Sequence, residues 1–357
     1  MKLSVKRSLQ VLLCAAAALF LISCAGKPKA QEEPGNAGQS PYEGVQIGMT
    51  FDTFVMERWQ RDRDIFVSTA RSLGAEVNVQ NAGGDVAEQL KQIDYFINKG
   101  MDVIVIVAVD ADSLTDAVKR AREKGIHVIS YDRLVLNAGS DLYISFDNVA
   151  VGRFMARQIL KDTGGKGTIV KVMGPLKDNN VSLVDRGFSA ELEGSSVRVA
   201  DEYNASEWKG EEAFDYLSSH EVLAESVDGI MCGNDALAGG AVRFLSEKRL
   251  AGTKTVTGQD ADLDACQRIV EGTQSMTVYK PIEVLARRAA QCAVTLGEGG
   301  RLDGTGEGQF TTINDGSFDI PYISVEPIMV TKDNIDREII DSGFHLKEDV
   351  YRNVRNN

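Results

Sequence analysis

The chain alternates two hydrophobic patterns from Val45 onward. Short runs of Val, Ile and aromatic residues, which strands favour, precede segments whose apolar positions recur every three to four residues, as in helices. In the first half the predicted strands are 45–51, 76–80, 102–109, 127–131 and 142–146, and the predicted helices are 54–73, 86–98 and 113–124. The almost continuous Val/Ile run in 102–109 is typical of a parallel strand covered on both faces. This order predicts a parallel sheet with right-handed crossovers.

The second half of the chain repeats the alternation. Its predicted strands are 168–173, 197–203, 229–232, 254–257 and 275–279, and its predicted helices are 182–193, 207–219, 236–247 and 263–271. A helix after Pro281, a Gly-rich loop at 297–308, strands at 310–313 and 322–330, and a last helix at 333–341 complete the pattern. The prediction is an α/β protein with two Rossmann-like doubly wound parallel-sheet domains in tandem, for which 357 residues are sufficient.

The first residues have the features of an export signal. A basic start precedes an apolar run at 11–22, which is too short for a comfortable membrane span. The sequence Leu21-Ile22-Ser23-Cys24 resembles the lipobox of bacterial lipoproteins, which implies a signal peptide at 1–23 and a lipid on the Cys24 thiol. Residues 24–43 are predicted to be a flexible tether, because they contain almost no large apolar residue. Ordinary cleavage that leaves Cys24 unmodified is the alternative.

Composition argues against several classes of function. The formal net charge of -13 argues against a nucleic-acid partner and against electrostatic attraction to an anionic membrane. Cys14 leaves with the signal, and the three cysteines after Cys24 lack the spacing of a metal or redox site: Cys232, Cys266 and Cys292. Carboxylates at 260, 262, 264 and 271 match part of a calcium loop, but Ala265 replaces the glycine of its sharp turn. We therefore expect no metal and no cofactor.

Polar residues follow many of the predicted strands. Asp260 follows strand 254–257 and Lys280 follows strand 275–279, and open α/β sheets bind ligands at that end of their strands. If the carboxyl ends of both sheets face each other, one cleft is lined by Asp52, Asn81, Asp110, Asp132, Arg133, Asp178, Asn179, Asn180, Asn204, Asn234, Asp235, Asp260 and Lys280. Carboxylates, amides and cations together suit a polyhydroxylated neutral ligand. For Asp52, Asp110 or Asp235 alone, a turn or helix-cap role is the alternative.

The two tryptophans lie near the starts of helices, one in each half. Trp59 is in the predicted helix 54–73, and Trp208 opens the predicted helix 207–219. Sugar rings have apolar faces that pack on aromatic rings, so the two indoles could hold a pyranose between them. Core packing is the alternative for Trp59, because Phe66 and Ala70 lie on a compatible helical stripe.

The chemistry of an enzyme is missing from the sequence. The histidines His127, His220 and His345 lie away from the carboxyl ends of the predicted strands. The sequence contains neither a Gly-x-Ser-x-Gly elbow nor a phosphate-binding loop of the required spacing. We therefore expect a binding protein without catalytic residues.

Several long motifs resemble those of the bacterial D-xylose-binding proteins. They lie at 56–66 (MERWQRDRDIF), 131–133 (YDR), 143–148 (YISFDN), 178–180 (DNN), 234–236 (NDA), 258–263 (GQDADL) and 272–281 (GTQSMTVYKP). The resemblance extends from about Val45 to about Lys347. It implies a periplasmic-binding-protein type I fold that delivers sugar to an ABC permease.

The resemblance also implies a set of sugar contacts. They are Arg58, Trp59, Asp132, Arg133, one Asn of the pair Asn179 and Asn180, Trp208, Asn234, Asp260 and Lys280. It implies three hinge crossings, near Phe146, near Lys280 and near Asn314. These crossings would divide the chain into an N-terminal lobe of 44–147 plus 281–313, a C-terminal lobe of 148–280 plus 314–345, and a tail of 346–357.

The expected protein is an exported monomer, anchored through lipid on Cys24 to a bacterial membrane on its periplasmic or outer side. It would bind D-xylose by hinge closure and deliver it to an ABC importer. A sugar sensor for chemotaxis or two-component signalling could share every site residue, so it remains an alternative. A receptor for a different pentose or hexose is another. An enzyme acting on a sugar or a nucleotide is a third, against which the missing catalytic groups argue.

Overall fold

The computed structural model describes residues 44–302 and 306–354. The predicted signal peptide, Cys24 and the tether lie outside the described residues. In chain order the elements are β1 (Gln46–Phe51), α1 (Glu57–Ser72), β2 (Glu76–Asn81), α2 (Val86–Lys99), β3 (Val103–Ile106), α3 (Thr115–Glu123), β4 (His127–Tyr131), β5 (Leu142–Phe146), α4 (Asn148–Thr163), β6 (Lys166–Met173), α5 (Asn179–Leu192), β7 (Ser196–Asn204), α6 (Gly210–Ser219), α7 (Glu221–Ser226), β8 (Gly229–Cys232), α8 (Asp235–Glu247), β9 (Thr255–Thr257), α9 (Leu263–Glu271), β10 (Thr277–Tyr279), α10 (Ile282–Gly297), β11 (Gln309–Asn314), β12 (Asp319–Val325), β13 (Ile328–Val330) and α11 (Lys347–Val350).

The strands form two separate sheets and a small ribbon. The first sheet has the order β11-β12-β5-β4-β3-β1-β2, and its strands are parallel except for the antiparallel pair of β11 and β12. The second sheet is parallel, with the order β7-β6-β8-β9, and β10 and β13 form an antiparallel ribbon. The first sheet with α1, α2, α3 and α10 is called the first lobe below. The second sheet with α4 to α9 and the β10–β13 ribbon is called the second lobe.

Each sheet is covered by helices on both faces, because its central strands are apolar on both sides. Val103 and Val105 of β3 pack in the cluster that contains α1 and α10, whereas Ile104 and Ile106 pack against α2 and α3. In the second lobe the two faces of β6 pack in the same way, one against α6 and α8 and the other against α4 and α5. This confirms the predicted α/β class with two parallel sheets.

The helices α4 and α5 pack closely at two glycines. A Cβ atom on Gly152 would lie 1.9 Å from the carbonyl oxygen of Val184, and one on Gly187 would lie 1.9 Å from that of Val149. Any larger residue would force the two helices apart. This contact fixes α5, whose first turn carries Asn179 and Asn180, on the second sheet.

The third crossing lies later in the chain than predicted. Residues 314–345 were assigned to the C-terminal lobe, but β12 pairs in parallel with β5 of the first sheet. The chain therefore leaves the first sheet after Val325 rather than near Asn314. The sequence does contain a signal for this break, because Pro327 interrupts the apolar run 322–330 between β12 and β13, and proline cannot continue a strand ladder.

The last segments also differ from the prediction. In place of a regular helix at 333–341, a short π-helical turn forms at Asp336–Ile340. The predicted tail contains α11, whose Val350 is buried in a cluster with Ile339 of this turn and Ile269 of α9. Among residues 44–302 and 306–354, no helix has the length and apolarity that a membrane span requires.

Candidate ligand-binding site

A closed cavity lies between the two lobes at the carboxyl ends of both sheets. Its lining residues are Met56, Arg58, Trp59, Asp132, Arg133, Asp178, Asn180, Trp208, Asn234, Gln259, Asp260 and Lys280. Nine of the ten sugar contacts named from the sequence are therefore brought together here. The tenth, Asn179, does not line the cavity and is half-buried, so the neighbouring Asn180 is the member of the pair that lies at the site. Met56, Asp178 and Gln259 are additional lining residues.

Arg58 is the central cation of the site. It projects from the first turn of α1 and is buried, with its Nη2 3.0 Å from Asp132 Oδ2 and its Nε 3.3 Å from Asp62 Oδ2. Its Nη1 is 3.8 Å from Asp260 Oδ1, which belongs to the second lobe. Burial alone would lower the pKa of Arg58, but the three carboxylates outweigh it and raise this pKa well above its usual value. Arg58 therefore carries its charge in the closed cavity.

Asp62 and Tyr131 support Arg58 from behind. Both are fully buried, and the Tyr131 hydroxyl donates a short hydrogen bond to Asp62 Oδ1. Burial raises the pKa of the Asp62 carboxyl, although Arg58 opposes the shift. The sequence signal for this support is the spacing of Arg58 and Asp62, which places the two side chains on one helix face.

Arg133 links the two lobes. Its guanidinium donates to Asp52 Oδ2 and to the carbonyl of Ala108 in the first lobe, and its Nε is 2.8 Å from Asp178 Oδ2 in the second. Burial raises the pKa of the Asp178 carboxyl, and Arg133 counteracts this effect. Asp52 thus has the site role that the sequence left open against a turn role.

Asn180 forms a second polar link between the lobes. Its Nδ2 donates to the carbonyl oxygen and to Oδ1 of Asp132, both at 3.1 Å. Its Oδ1 accepts from the Tyr143 hydroxyl at 3.2 Å and from Asn148 Nδ2 at 3.0 Å. The amide of Asn180 is therefore fully used within the protein in this closed arrangement.

Two carboxylates of the site lie on unusual backbone. Asp132 has φ 60° and Asp260 has φ 99°, in the left-handed region that costs energy for residues with a side chain. The Asp260 loop is held by hydrogen bonds from Asp260 N to the Val278 carbonyl and from Asp262 N to Asp235 Oδ2, at 2.9 and 3.1 Å. The fold thus stabilises a strained loop that presents Asp260 to the cavity, 3.2 Å from Lys280 Nζ.

Asp235 lies behind this loop rather than in the cavity. Its carboxylate accepts from Thr277 Oγ1 at 2.7 Å and from Gln274 Nε2 at 2.8 Å. Burial raises the pKa of Asp235 to about 7, with Arg268 opposing the shift. Its neighbour Asn234 caps α8 through Oδ1, which accepts from Leu237 N, and also lines the cavity.

Other polar residues that follow strands are not brought to the cavity. Asp110 accepts from Asp112 N and Ser113 N in its own loop, and Asn81 accepts from Gly83 N. Asn204 donates to the carbonyl of Gly174. These three residues have the local turn or loop roles that polar residues often have at strand ends.

The two indoles differ in their surroundings. Trp59 is buried in the core cluster of the first lobe and also borders the cavity. Trp208 is half-buried in the second lobe, where a Cβ atom on Gly174 would lie 2.2 Å from its ring. The Nε1 atom of each indole is buried and has no hydrogen-bond partner within the described part of the chain. Two donors of the site are thus available to a ligand.

The histidines and cysteines of the described residues lie outside this cavity. His127 begins β4, His220 follows α6, and His345 contacts the Ala261 carbonyl behind the Asp260 loop. Across residues 44–302 and 306–354, no group of acidic residues, histidines and cysteines has the arrangement of a metal site. The three cysteines that these ranges contain, Cys232, Cys266 and Cys292, are buried.

Two α/β lobes that enclose a small polar cavity at the carboxyl ends of their sheets define a solute-binding protein with a hinged fold. The family model of the periplasmic binding protein domain matches residues 47–301, and the chain belongs to this family.

Individual relatives and a solved structure agree with this membership. The chain is 39% identical over 312 residues to the D-xylose-binding periplasmic protein of Haemophilus influenzae and 40% identical over 311 residues to that of Escherichia coli. Each alignment covers 86% of this chain and 92% of the relative. An ABC transporter solute binding protein from Clostridium phytofermentans with bound beta-D-glucose matches with a TM-score of 0.77 at 25% identity, covering 85% of this chain and 99% of that one.

Proposed function

We propose that this protein is an exported receptor that binds a monosaccharide, first of all D-xylose, and delivers it to the permease of an ABC importer. The observation that carries the proposal is the cavity itself, in which buried charged groups and two indoles from different lobes surround a small space. The free space between the lining side chains is only about 20 Å³ in this arrangement, far below the roughly 300–1,000 Å³ of ligand pockets, so the lobes must move apart to admit a sugar ring. The two relatives named for D-xylose binding support the choice of sugar.

The proposed contacts follow from the chemistry of each lining residue. Trp59 and Trp208 pack on the sugar ring, and their free Nε1 donors add directional contacts. The charged groups and the Asn234 amide bind the hydroxyls through Arg58, Asp132, Arg133, Asn234, Asp260 and Lys280, whereas Asn180, whose amide is already paired, positions Asp132. We expect binding to involve no reaction, because the carboxylates and Lys280 that line the cavity are ion-paired within the protein, and no histidine or cysteine of the described residues lines it. Incubation should return the sugar unchanged, and accumulation of any product would contradict this assignment.

Selectivity for D-xylose over D-glucose is the sharpest test. The two pyranoses have the same ring hydroxyl orientations, and glucose adds only a hydroxymethyl group at C5. A cavity closed around xylose penalises the larger sugar by overpacking, by about 1–3 kcal/mol, or roughly tenfold to a hundredfold in Kd. Calorimetric titration with D-xylose, D-glucose and D-ribose measures this directly. Equal affinity for xylose and either of the other sugars would contradict the proposed specificity.

Closure of the lobes accompanies binding in this proposal. We place one lobe at 44–147 plus 281–325 and the other at 148–280 plus 326–354, with hinge segments near Phe146, Lys280 and Val325. The contacts of Arg133 with Asp178 and of Asn180 with Asp132 cross between the lobes and exist only when they are closed. Small-angle scattering should therefore show a smaller radius of gyration with saturating sugar than without it. An unchanged radius would count against closure.

We further propose that the protein is a monomer, anchored to the membrane by a lipid on Cys24. The support is the lipobox-like sequence before this residue. Labelling of expressing bacteria with a radioactive fatty acid should mark the wild-type protein and leave a Cys24→Ala variant unlabelled. Equal labelling of both proteins would exclude Cys24 as the attachment site.

A further inference from the structure

We propose that Gln259 is a ligand contact that accepts a hydrogen bond from one ring hydroxyl through its Oε1 atom and thereby contributes to specificity. This inference rests on the proposed function. Gln259 lines the cavity and only 5% of its surface is exposed. Its Oε1 is buried and has no hydrogen-bond partner within residues 44–302 and 306–354. Buried polar atoms are nearly always paired in native proteins, so a ligand is the natural partner for an unpaired atom of a cavity wall.

The orientation of the Gln259 amide is fixed by its other end. Nε2 donates a short hydrogen bond to the carbonyl oxygen of Gly233. A carbonyl oxygen can only accept, so the nitrogen must face Gly233 and the oxygen must face away from it. The free group is therefore an acceptor and not a donor.

The backbone of Gln259 is held in place as well. Its carbonyl accepts from Asp235 N at 3.0 Å. The preceding residue, Gly258, packs so closely that a Cβ atom there would lie 2.1 Å from Asp235 Oδ1. Gln259 thus lies on a rigid support between Asn234 and Asp260, both of which line the cavity. A fixed acceptor discriminates between ligands more strongly than a mobile one.

A free donor belongs to the same wall of the cavity. Trp208 also lines the cavity, and its Nε1 has no partner in the described part of the second lobe. Gly233, which anchors the Gln259 amide, contacts this indole, since a Cβ atom on Gly233 would lie 3.1 Å from Trp208 Cζ3. An acceptor and a donor in one wall match hydroxyl groups, which donate and accept. A carboxylate ligand has no proton to give to Gln259 and would leave its oxygen unpaired.

The test replaces the acceptor and changes the sugar at the same time. Gln259→Met removes the amide and keeps the length of the side chain, and Gln259→Leu is a second apolar replacement. Gln158→Met is the matched control, because Gln158 is equally buried, donates through Nε2 to Asp162 and also has an unpartnered Oε1, but lies outside the cavity. Each protein is titrated calorimetrically with D-xylose and with its 2-deoxy, 3-deoxy and 4-deoxy analogues. Thermal unfolding without sugar identifies any variant that fails to fold.

We expect Gln259→Met to bind D-xylose about tenfold more weakly than wild type, and Gln158→Met to bind it equally well. One deoxy analogue should bind wild type more weakly than D-xylose does. The same analogue should bind wild type and Gln259→Met with equal affinity, because it lacks the hydroxyl that donates to Gln259 Oε1. Unchanged xylose affinity in both Gln259 variants, or an equal loss for xylose and every analogue, would overturn the inference. If wild type binds another sugar and not D-xylose, the proposed specificity is wrong, and the deoxy series of that other sugar then decides the role of Gln259.

Discussion

The two walls of the cavity are built on different physical principles. In the first lobe, Arg58 and Arg133 are each surrounded by carboxylates, and the buried Asp62 and Tyr131 complete the network. In the second lobe the wall combines the charged residues Asp178, Asp260 and Lys280 with neutral groups, and Gln259 Oε1 and Trp208 Nε1 have no hydrogen-bond partner in the part of the chain that the structure describes. The first wall is therefore organised by two arginines and their carboxylates, with Trp59 Nε1 as one open donor, whereas the second wall combines an ion pair with an open acceptor and an open donor.

The difference follows from the cost of burying charge. A buried ion without a partner is so unfavourable that Arg58 and Arg133 must be paired before any ligand arrives. An unpaired amide or indole costs far less, so the second lobe can leave such groups open. Burial alone would raise the pKa of Asp132, but Arg58 and Lys280 outweigh it and lower this pKa, so the carboxylate of the first wall stays ionised. Asp235, which supports the second wall, has the opposite shift.

The largest expected effect comes from breaking the first wall. Arg58→Met leaves Asp62 and Asp132 buried without their cation, and we expect it to lower the free energy of unfolding by about 3–5 kcal/mol. Urea denaturation without sugar measures this change. Arg153→Met is the control, because the Arg153–Asp147 pair is solvent-exposed and should contribute less than about 1 kcal/mol. Equal stability of the two variants would mean that the first wall is not held together by its charges.

A smaller effect is expected from the Asp260 loop of the second wall. Asp260→Asn removes a charge and tolerates the positive φ, whereas alanine would add backbone strain. We expect D-xylose affinity to fall by roughly 1.5–3 kcal/mol, with the fold intact, and calorimetry measures it. Asp110→Asn should change affinity by less than about 0.5 kcal/mol, because Asp110 follows a strand in the same way but caps its own loop. If Asp110→Asn lost as much affinity as Asp260→Asn, the structure would not distinguish a carboxylate that binds the sugar from one that only caps its own loop.

A pH dependence of stability sharpens the comparison further. The pKa of Asp235 in the folded protein is about 7, above the usual value of 3.8, so the folded state holds the proton more tightly than the unfolded state. Its contribution to stability is therefore present below about pH 4 and is lost as the pH rises from about 4 to 7. Asp235→Asn lacks this titration. The difference in unfolding free energy, variant minus wild type, should increase across that window by at most about 1.4 kcal/mol per unit of pKa shift.

A second carboxylate gives the control for this experiment. Asp201 has its pKa lowered by the Tyr216 hydroxyl, so its contribution is present above the usual pKa and is lost as the pH falls. For Asp201→Asn, the difference in unfolding free energy, variant minus wild type, should therefore not increase between pH 4 and 7. This difference should also be small, because Asp201 and Tyr216 interact at the surface. Chemical denaturation at several pH values measures both variants. If the difference in unfolding free energy between variant and wild type had the same pH dependence for Asp235→Asn and Asp201→Asn, Asp235 would not titrate in this range.

The sequence by itself indicated the class of the fold and most of its strands and helices, although the prediction missed the helix α4 and the division between β12 and β13. Periodicities of two and of 3.6 residues are local properties, so β3 and α2 can be recognised without their neighbours. The polar residues that follow strands were visible for the same reason, and the motifs around Arg58, Asp260 and Lys280 were long enough to indicate the family.

Only the tertiary structure decided which of these polar residues meet. Asn180 reaches the cavity and Asn179 does not, because the first turn of α5 points adjacent side chains in different directions. Asp110 and Asp260 each follow a strand, yet only Asp260 is carried by a loop that the second lobe holds against the first. The free acceptor of Gln259 depends on a carbonyl far away in the chain, at Gly233. Such contacts follow from strand order and lobe packing, which join distant segments and leave no trace in local periodicity.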